Sequence, residues 1–166
     1  MKNTIPAFFF LIITTLLLQS CSITGFHLRE SNKLSGNYTK IALQGISTES
    51  ALYTTLEKAI KEVGGNIVPM ASAYSIITIG QLKEDKKIVA YTRERLAREY
   101  MIYLRLNYAI KIANKTLEQR PIRLDKTLIY DSNFVLGKAE EERRIQQSLR
   151  EEAARLILLR LQYSKK

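Results

Sequence analysis

Cysteine and histidine are nearly absent from this chain of 166 residues, which has one of each. A single cysteine excludes an internal disulfide framework and any CxxC site for metal or redox chemistry. A single histidine excludes most histidine-based catalysis and metal ligation. Glycine and proline are also few, with seven and three residues, while 46% of the chain is hydrophobic. This balance excludes collagen-like and low-complexity chains and favours a packed domain of ordinary size.

Negative charge is scarce relative to positive charge. The 26 lysines and arginines outnumber the 16 acidic residues, which gives a formal net charge of +10. A basic surface attracts anionic partners such as nucleic acid, phosphorylated lipid or an acidic protein. Net charge alone does not distinguish among these three.

The amino-terminal segment has the pattern of an export signal. Lys2 is followed by an apolar run over residues 5–18, which is shorter than the roughly 20 residues that a membrane-spanning helix needs. We therefore predict that residues 1–20 are a cleaved signal peptide. Its removal takes away only Lys2, so the basic character belongs to the exported part. We expect no nucleic-acid partner for an exported protein. In a bacterial host, its charge would instead suit phosphorylated lipopolysaccharide (LPS) and anionic lipid.

The only cysteine stands where the apolar run ends. The segment Leu18-Gln19-Ser20-Cys21 resembles the lipobox of bacterial lipoproteins, with Gln19 as an unusual choice. This resemblance implies that Cys21 becomes an acylated amino terminus, and two or more acyl chains hold a domain stably at a membrane. Ser22, in place of Asp, implies sorting to the outer membrane. The alternative is an incidental cysteine after an ordinary cleavage site.

The sequence of the exported part predicts a tether over residues 21–36 and a single α+β domain over residues 37–166. The domain is predicted to begin with a strand at Tyr38–Leu43 and a helix after Ser47 and Thr48 that ends at Gly64-Gly65. Two strands follow at Ala73–Leu82 and Lys86–Arg93, joined by Lys83-Glu84-Asp85. The last predicted elements are a long strand at Tyr100–Ala113, a strand at Ile122–Tyr130 and a helix at Lys138–Leu161. In the long strand, apolar residues occupy the even-numbered positions and predict its core face. The order predicts a mainly antiparallel or mixed sheet of four to five strands, with two helices packed on one face.

Short motifs resemble the LptE family of LPS-assembly lipoproteins. Cys21 is followed by Gly25-Phe26-His27-Leu28-Arg29, similar to the start of that family, although Ser22-Ile23-Thr24 is an insertion relative to the family pattern. Glu99-Tyr100-Met101 and Leu136-Gly137-Lys138-Ala139 match the entries into the long strand and the last helix. The order of elements matches the family along essentially the whole exported part.

The resemblance implies a function without catalysis. A member of this family is expected at the periplasmic face of the outer membrane, held there by its lipid anchor. It would insert into the LptD β-barrel, assist assembly of that barrel and help deliver LPS to the outer leaflet. The implied partners are thus LptD, LPS and the outer membrane. No cofactor and no metal are expected.

Four basic residues are the candidate LPS-binding site: Arg93, Arg95, Arg98 and Lys138. The three arginines fall between predicted strands, where binding residues often lie, and guanidinium groups bind phosphate oxygens bidentately. The resemblance implies that Arg93 and Lys138 occupy positions where relatives carry basic residues that contact LPS. The alternative is a solvated surface interleaved with Glu94 and Glu99, because most surface ion pairs contribute only about 0–1 kcal/mol.

Two other function classes compete with this interpretation. One is a stand-alone lipoprotein that binds an anionic lipid or glycan in the periplasm without a barrel partner. The other is an enzyme such as a hydrolase, which is disfavoured because the sequence has no nucleophile-base motif and no G-x-S-x-G. His27 has no companion ligand or base nearby in sequence, so packing or hydrogen bonding is its expected role.

Overall fold

The computed structural model describes residues 33–34, 36–129 and 137–164. The predicted signal peptide, Cys21, His27 and most of the predicted tether lie outside these residues. The helices and strands are β1 (Lys40–Gln44), α1 (Ala51–Glu62), β2 (Asn66–Ile67), β3 (Ser75–Tyr91), β4 (Ala97–Ile112), β5 (Lys115–Thr116), β6 (Arg120–Ile129) and α2 (Lys138–Tyr163). Short 3-10 helices at Gly36–Thr39 and Met70–Ser72 complete the described part.

The six strands form one mixed sheet in the order β2-β1-β3-β4-β5, with β6 also paired to β4. β1 is parallel to β2 and β3, and the other pairs are antiparallel. The predicted α+β fold with two helices on one face is confirmed. The prediction of four to five strands missed β2 and β5, since runs of two residues carry no periodic signal.

Two regions of the sheet differ in their neighbours. We call β1, β2, β5, Ser75–Ile79 and Tyr108–Ile112 the sheet base. We call Gly80–Tyr91, Ala97–Asn107 and β6 the three-stranded extension. In the base, β3 lies between β1 and β4, whereas along the extension it pairs, within the described residues, with β4 alone. In that part of the chain, one edge of β3 is therefore unpaired along the extension.

The hydrophobic core lies between the sheet and the two helices. Even-numbered residues of β4 from Ile102 to Ile112 are buried, as the alternation predicts. α1 contributes Leu52, Leu56 and Ile60, all fully buried. The later turns of α2 contribute the buried residues Leu149, Ala153, Ala154, Ile157, Leu158 and Leu161. We call the helix-covered side of the sheet the inner face and the opposite side the outer face.

The prediction that Lys83-Glu84-Asp85 connects two strands is wrong. These residues lie in the middle of β3, paired with Arg105, Leu104 and Tyr103 of β4. Glu84 accepts hydrogen bonds from the Arg150 side chain of α2, with Nη2–Oε2 at 2.6 Å, and Asp85 accepts one from the Tyr103 hydroxyl at 3.2 Å. Partners distant in sequence thus satisfy the two carboxylates of a polar triplet that would otherwise favour a turn.

A β-bulge explains why β3 lacks one continuous alternation. The register passes from Ile79–Tyr108 directly to Leu82–Leu106, so Gly80 and Gln81 together oppose Asn107. One extra residue moves the inner face of β3 from odd-numbered to even-numbered positions. A single periodic pattern therefore cannot describe the whole strand.

Two glycines, one after α1 and one after β1, have the left-handed backbone conformation that favours glycine. Gly64 has φ of +80°, and the Gly65 N–H donates to the Ile60 carbonyl at 2.8 Å, which confirms the predicted helix stop. Gly45 follows β1 with φ of +77°, and a Cβ there would overlap the Ile79 carbonyl oxygen. Only glycine fits this close approach between neighbouring strands.

The start of α1 lies later than predicted. Ser50 is the residue before the helix, and Ser47 instead organises a turn ahead of it. The Ser47 carbonyl accepts from the Ser50 N–H at 3.0 Å, and its hydroxyl accepts from the Glu49 N–H at 3.3 Å. Serine satisfies the backbone of a turn as readily as that of a helix end, so the sequence does not distinguish the two.

Candidate functional site

The connection between β3 and β4 is a tight turn over Thr92–Leu96. The Thr92 N–H donates to the Leu96 carbonyl at 2.8 Å, and the Arg95 N–H donates to the Thr92 carbonyl at 3.1 Å. Arg95 has φ of +61°, a left-handed conformation that is uncommon for a residue with a side chain. The turn thus holds an arginine where glycine or asparagine is the usual choice. We call residues 88–98 the hairpin end.

The three candidate arginines lie at the hairpin end. Arg93 and Arg95 belong to the turn and Arg98 is the second residue of β4, and all three side chains are exposed. In the described part of the chain, no carboxylate oxygen lies within 4.0 Å of their guanidinium nitrogens. Hydrogen bonds from its own backbone N–H and from the Thr92 hydroxyl lower the pKa of the neighbouring Glu94 carboxyl. Glu94 is thus engaged by the turn rather than by an arginine.

Large apolar side chains surround these arginines. Tyr91 and Leu96, on the two sides of the turn, are 61% and 60% exposed. Ile88 and Val89 on β3 are also exposed, and so is Ile129, which pairs with Glu99 on the neighbouring strand. Sequence reasoning missed this apolar surface because a strand ending in Ile-Val-Ala-Tyr predicts burial. Grouped exposed apolar residues beside polar ones are typical of interaction sites.

Lys138, the first residue of α2, lies against the long strand β4. Its Nζ atom is 4.3 Å from the centre of the Tyr100 ring, close enough for a cation–π contact. Lys86 of β3 approaches the same ring at 5.9 Å and makes an ion pair with Glu142 of α2 at 2.7 Å. The structure therefore brings Lys138 and Lys86 together around Tyr100. Arg98 precedes this tyrosine by two residues.

The four candidates occupy two neighbouring places rather than one cluster. Arg93 and Arg95 lie at the turn, and Lys138 lies over Tyr100 on the inner face. The sequence placed the arginines between two strands, which is correct for Arg93 and Arg95, while Arg98 already belongs to β4. The alternation of apolar residues along β4 predicts that Tyr100 lies on the inner face. The sequence contains no signal that Tyr100 contacts Lys138. That contact depends on where α2 crosses the sheet.

Comparison with known proteins identifies the family. The family model described as LptE, lipopolysaccharide-assembly, matches residues 38–161, which include β1 through most of α2. The chain belongs to the LptE family. This family consists of non-enzymatic lipoproteins, and its members function in LPS assembly. The resemblance noted in the sequence is therefore confirmed. A search of curated proteins found no match.

Solved structures show the same fold at low sequence identity. Rare lipoprotein B from Shewanella oneidensis has a TM-score of 0.67 at 15% identity, covering 76% of this chain and 96% of that protein. A minor lipoprotein from Acinetobacter baumannii has a TM-score of 0.63 at 17% identity, covering 77% and 93%. Lipoprotein B from Nitrosomonas europaea has a TM-score of 0.61 at 23% identity, covering 76% and 86%. An LptE-type sheet and helix pair thus persists while most side chains change.

Two further observations concern the described residues alone. No helix within residues 36–129 and 137–164 is long and apolar enough to cross a bilayer. The same residues contain no group of three or more histidine, cysteine or acidic side chains placed to hold a metal ion.

Proposed function

We propose that this LptE-family protein is a lipid-anchored component of the outer membrane that forms a complex with the LptD β-barrel, binds LPS and aids its delivery to the outer leaflet. The family match over residues 38–161 carries the proposal. Within it, residues 1–20 act as the signal peptide, Cys21 carries the acyl chains and residues 21–36 connect the anchor to the domain.

The hairpin end supports the LPS-binding part of this proposal. LPS is an amphiphile with phosphate groups beside acyl chains. Exposed arginines without carboxylate partners match the phosphates, because charge-assisted hydrogen bonds to phosphate are strong and often bidentate. The adjacent exposed side chains of Tyr91 and Leu96 match the apolar part of such a ligand. Lys138, over Tyr100, adds a further positive charge near the same hairpin.

LPS binding is tested with a double charge reversal. Arg93→Asp with Lys138→Asp is expected to weaken LPS binding by full-length protein in detergent about tenfold or more, because two charge-assisted contacts are lost. Folding is expected to persist, since Arg93 is exposed and an acidic residue in the first turn of α2 favours the helix dipole. The matched control is Lys58→Asp with Lys115→Asp, two exposed sites that change net charge equally. Equal weakening by both pairs would contradict a site at the hairpin end.

The barrel partnership is tested by copurification. A carboxyl-terminally tagged chain is extracted from outer membranes in mild detergent, and the proteins that remain bound are identified by mass spectrometry. Recovery of a stoichiometric large β-barrel is the expected result. Recovery of the lipoprotein alone, under conditions that preserve other barrel complexes, would favour a stand-alone module that binds anionic lipid or glycan.

The anchor is tested at Cys21. The wild-type protein is expected to fractionate with membranes and to carry the mass of covalent acyl chains at Cys21. Cys21→Ser is expected to lose both, because the acylated residue is absent. An unmodified Cys21 in the processed wild-type protein would contradict the anchor while leaving the fold and family unaffected.

A further inference from the structure

Three cations lie side by side across the three-stranded extension. Lys83 of β3 pairs in register with Arg105 of β4, which pairs in register with Arg123 of β6. We call these three residues the cationic row. Neighbouring strands lie about 4.8 Å apart, so the row extends over about 10 Å. Like charges directly opposite one another destabilise a sheet.

The cationic row lines a shallow, open groove. The groove has a volume of about 370 Å³, and Gln81 and Asn107 also line it. The β-bulge creates this arrangement, because Gly80 and Gln81 both oppose Asn107 there. Two amide side chains thus accompany three cations on the outer face. Amide and guanidinium N–H groups are donors for the oxygens of an anion.

Acidic residues neutralise the row only in part. Asp85 and Asp125 form the next row of the sheet, on the two sides of Tyr103. Hydrogen bonds from the Lys86 N–H and the Tyr103 hydroxyl lower the pKa of Asp85, and Asp125 lies 3.8 Å from Arg105. Within the residues that the structure describes, Lys83 and Arg123 have no carboxylate oxygen within 4.0 Å. Two of the three cations therefore remain without an ion-pair partner.

We propose that the cationic row binds a phosphate group, either on a lipid head group or free in solution. A guanidinium matches two phosphate oxygens at once, and neighbouring cations separated by one strand spacing can share a single phosphate. The row is distinct from the candidate LPS-binding residues, because it lies outside the hairpin end, and Lys138 contacts Tyr100 on the inner face while Arg105 lies on the outer face. The inference does not depend on the proposed function.

The test is a titration of the full-length protein in neutral detergent micelles, followed by NMR of the backbone amides and arginine side chains. One arm uses inorganic pyrophosphate. The other uses short-chain phosphatidic acid, with diacylglycerol of the same chain length as the control that lacks the phosphate. Saturable shifts centred on Arg105 and Arg123 are expected. If only pyrophosphate gives saturable shifts, the ligand is a free phosphate. If only phosphatidic acid does, the ligand is a lipid head group. If both do, the row recognises the phosphate group that the two ligands share.

Variants separate a binding site from general positive charge. Arg123→Gln is expected to weaken phosphate binding about tenfold, because one charge-assisted contact is lost. Lys87→Gln is the matched control, since it removes the same charge from an exposed position of β3 that pairs with Met101, beyond the row of aspartates. Absence of saturable binding in both arms, or equal weakening by the two variants, would overturn the proposal.

The melting temperature (Tm) separates a role of the row in binding from a role in folding, because the two roles predict opposite changes in Tm. Removing one of three like charges is expected to raise the Tm slightly in Arg123→Gln while phosphate binding weakens. A lowered Tm together with unchanged phosphate binding would assign the row to folding and overturn the proposal. The double variant Arg93→Asp with Lys138→Asp is expected to bind phosphate at the row normally. Failure at one site is thereby distinguished from failure at the other.

Discussion

The sheet base and the three-stranded extension share strands β3 and β4, but α2 contacts the two regions differently. In the base, apolar residues of β4 pack against Ile157, Leu158 and Leu161 of α2, which are almost fully buried. Along the extension, earlier turns of α2 add polar contacts to an apolar core that includes Ile102, Leu104 and Leu149. Arg150 bonds Glu84, Glu142 bonds Lys86, and Ser148 accepts a hydrogen bond from Lys126 at 2.6 Å. One helix thus covers an apolar core in both regions and adds ion pairs along the extension.

The features that stabilise the fold differ from those that suit binding. Burial of large apolar side chains is the main source of folding free energy, and it extends along the inner face of both regions, from Ile110 in the base to Ile102 in the extension. Within the described residues, the extension adds an unpaired edge on β3, exposed apolar residues at its hairpin end and the cationic row on its outer face. Such features reduce stability or solubility and are retained where a partner uses them. We therefore expect substitutions in the core and in these exposed features to affect different properties.

The largest expected effect is the loss of a core side chain in the base. Ile110→Ala, at a fully buried position of β4, is expected to lower the free energy of unfolding by about 2–5 kcal/mol. Met101→Ala on the extension of the same strand is expected to cost less, because Met101 is only half-buried on the outer face. Urea unfolding followed by circular dichroism measures both values. Equal losses would show that burial on the inner face does not set the contribution of a β4 side chain to stability.

An intermediate effect is expected at the Arg150–Glu84 pair. Both side chains are shielded, with 16% and 25% exposed, and the guanidinium bonds both carboxylate oxygens. Arg150→Met is expected to cost about 1–3 kcal/mol, because it leaves a shielded carboxylate without its partner. Adding Glu84→Gln is expected to restore part of that loss. A double-mutant cycle from urea unfolding measures the coupling, and a value near zero would show that the interface is not held by this pair.

The smallest expected effect is a gain in stability at the hairpin end. Arg95→Gly is expected to raise the free energy of unfolding by up to about 1 kcal/mol, because glycine adopts the left-handed conformation without a steric penalty. The same variant is expected to weaken LPS binding through loss of one cation. Arg95→Ala is the matched control, since it removes the charge but keeps a Cβ. A loss of stability in Arg95→Gly would show that the arginine side chain supports the turn.

Prediction from sequence succeeded where neighbours in the chain determine structure. The alternation of β4 gave the correct buried face, Gly64 ended the first helix as expected, and the last helix begins at Lys138 as predicted. The same reasoning failed at Lys83-Glu84-Asp85, because the partners that keep this segment extended lie on α2 and β4. It placed Arg93 and Arg95 between two strands but missed the surrounding exposed apolar residues. Exposure depends on what packs above a strand, and a single sequence does not contain that information.

The sequence by itself determined the family, the α+β class, the inner face of the longest strand and the identity of the basic residues. These properties follow from local periodicity, helix-ending glycines and motifs that are continuous in the chain. Only the tertiary structure decided that Lys138 lies over Tyr100 and that Lys83, Arg105 and Arg123 form one row. The physical reason is register: a single bulge at Gly80 and Gln81 reverses which side chains of β3 face the helices. Pairing between distant strands sets that register.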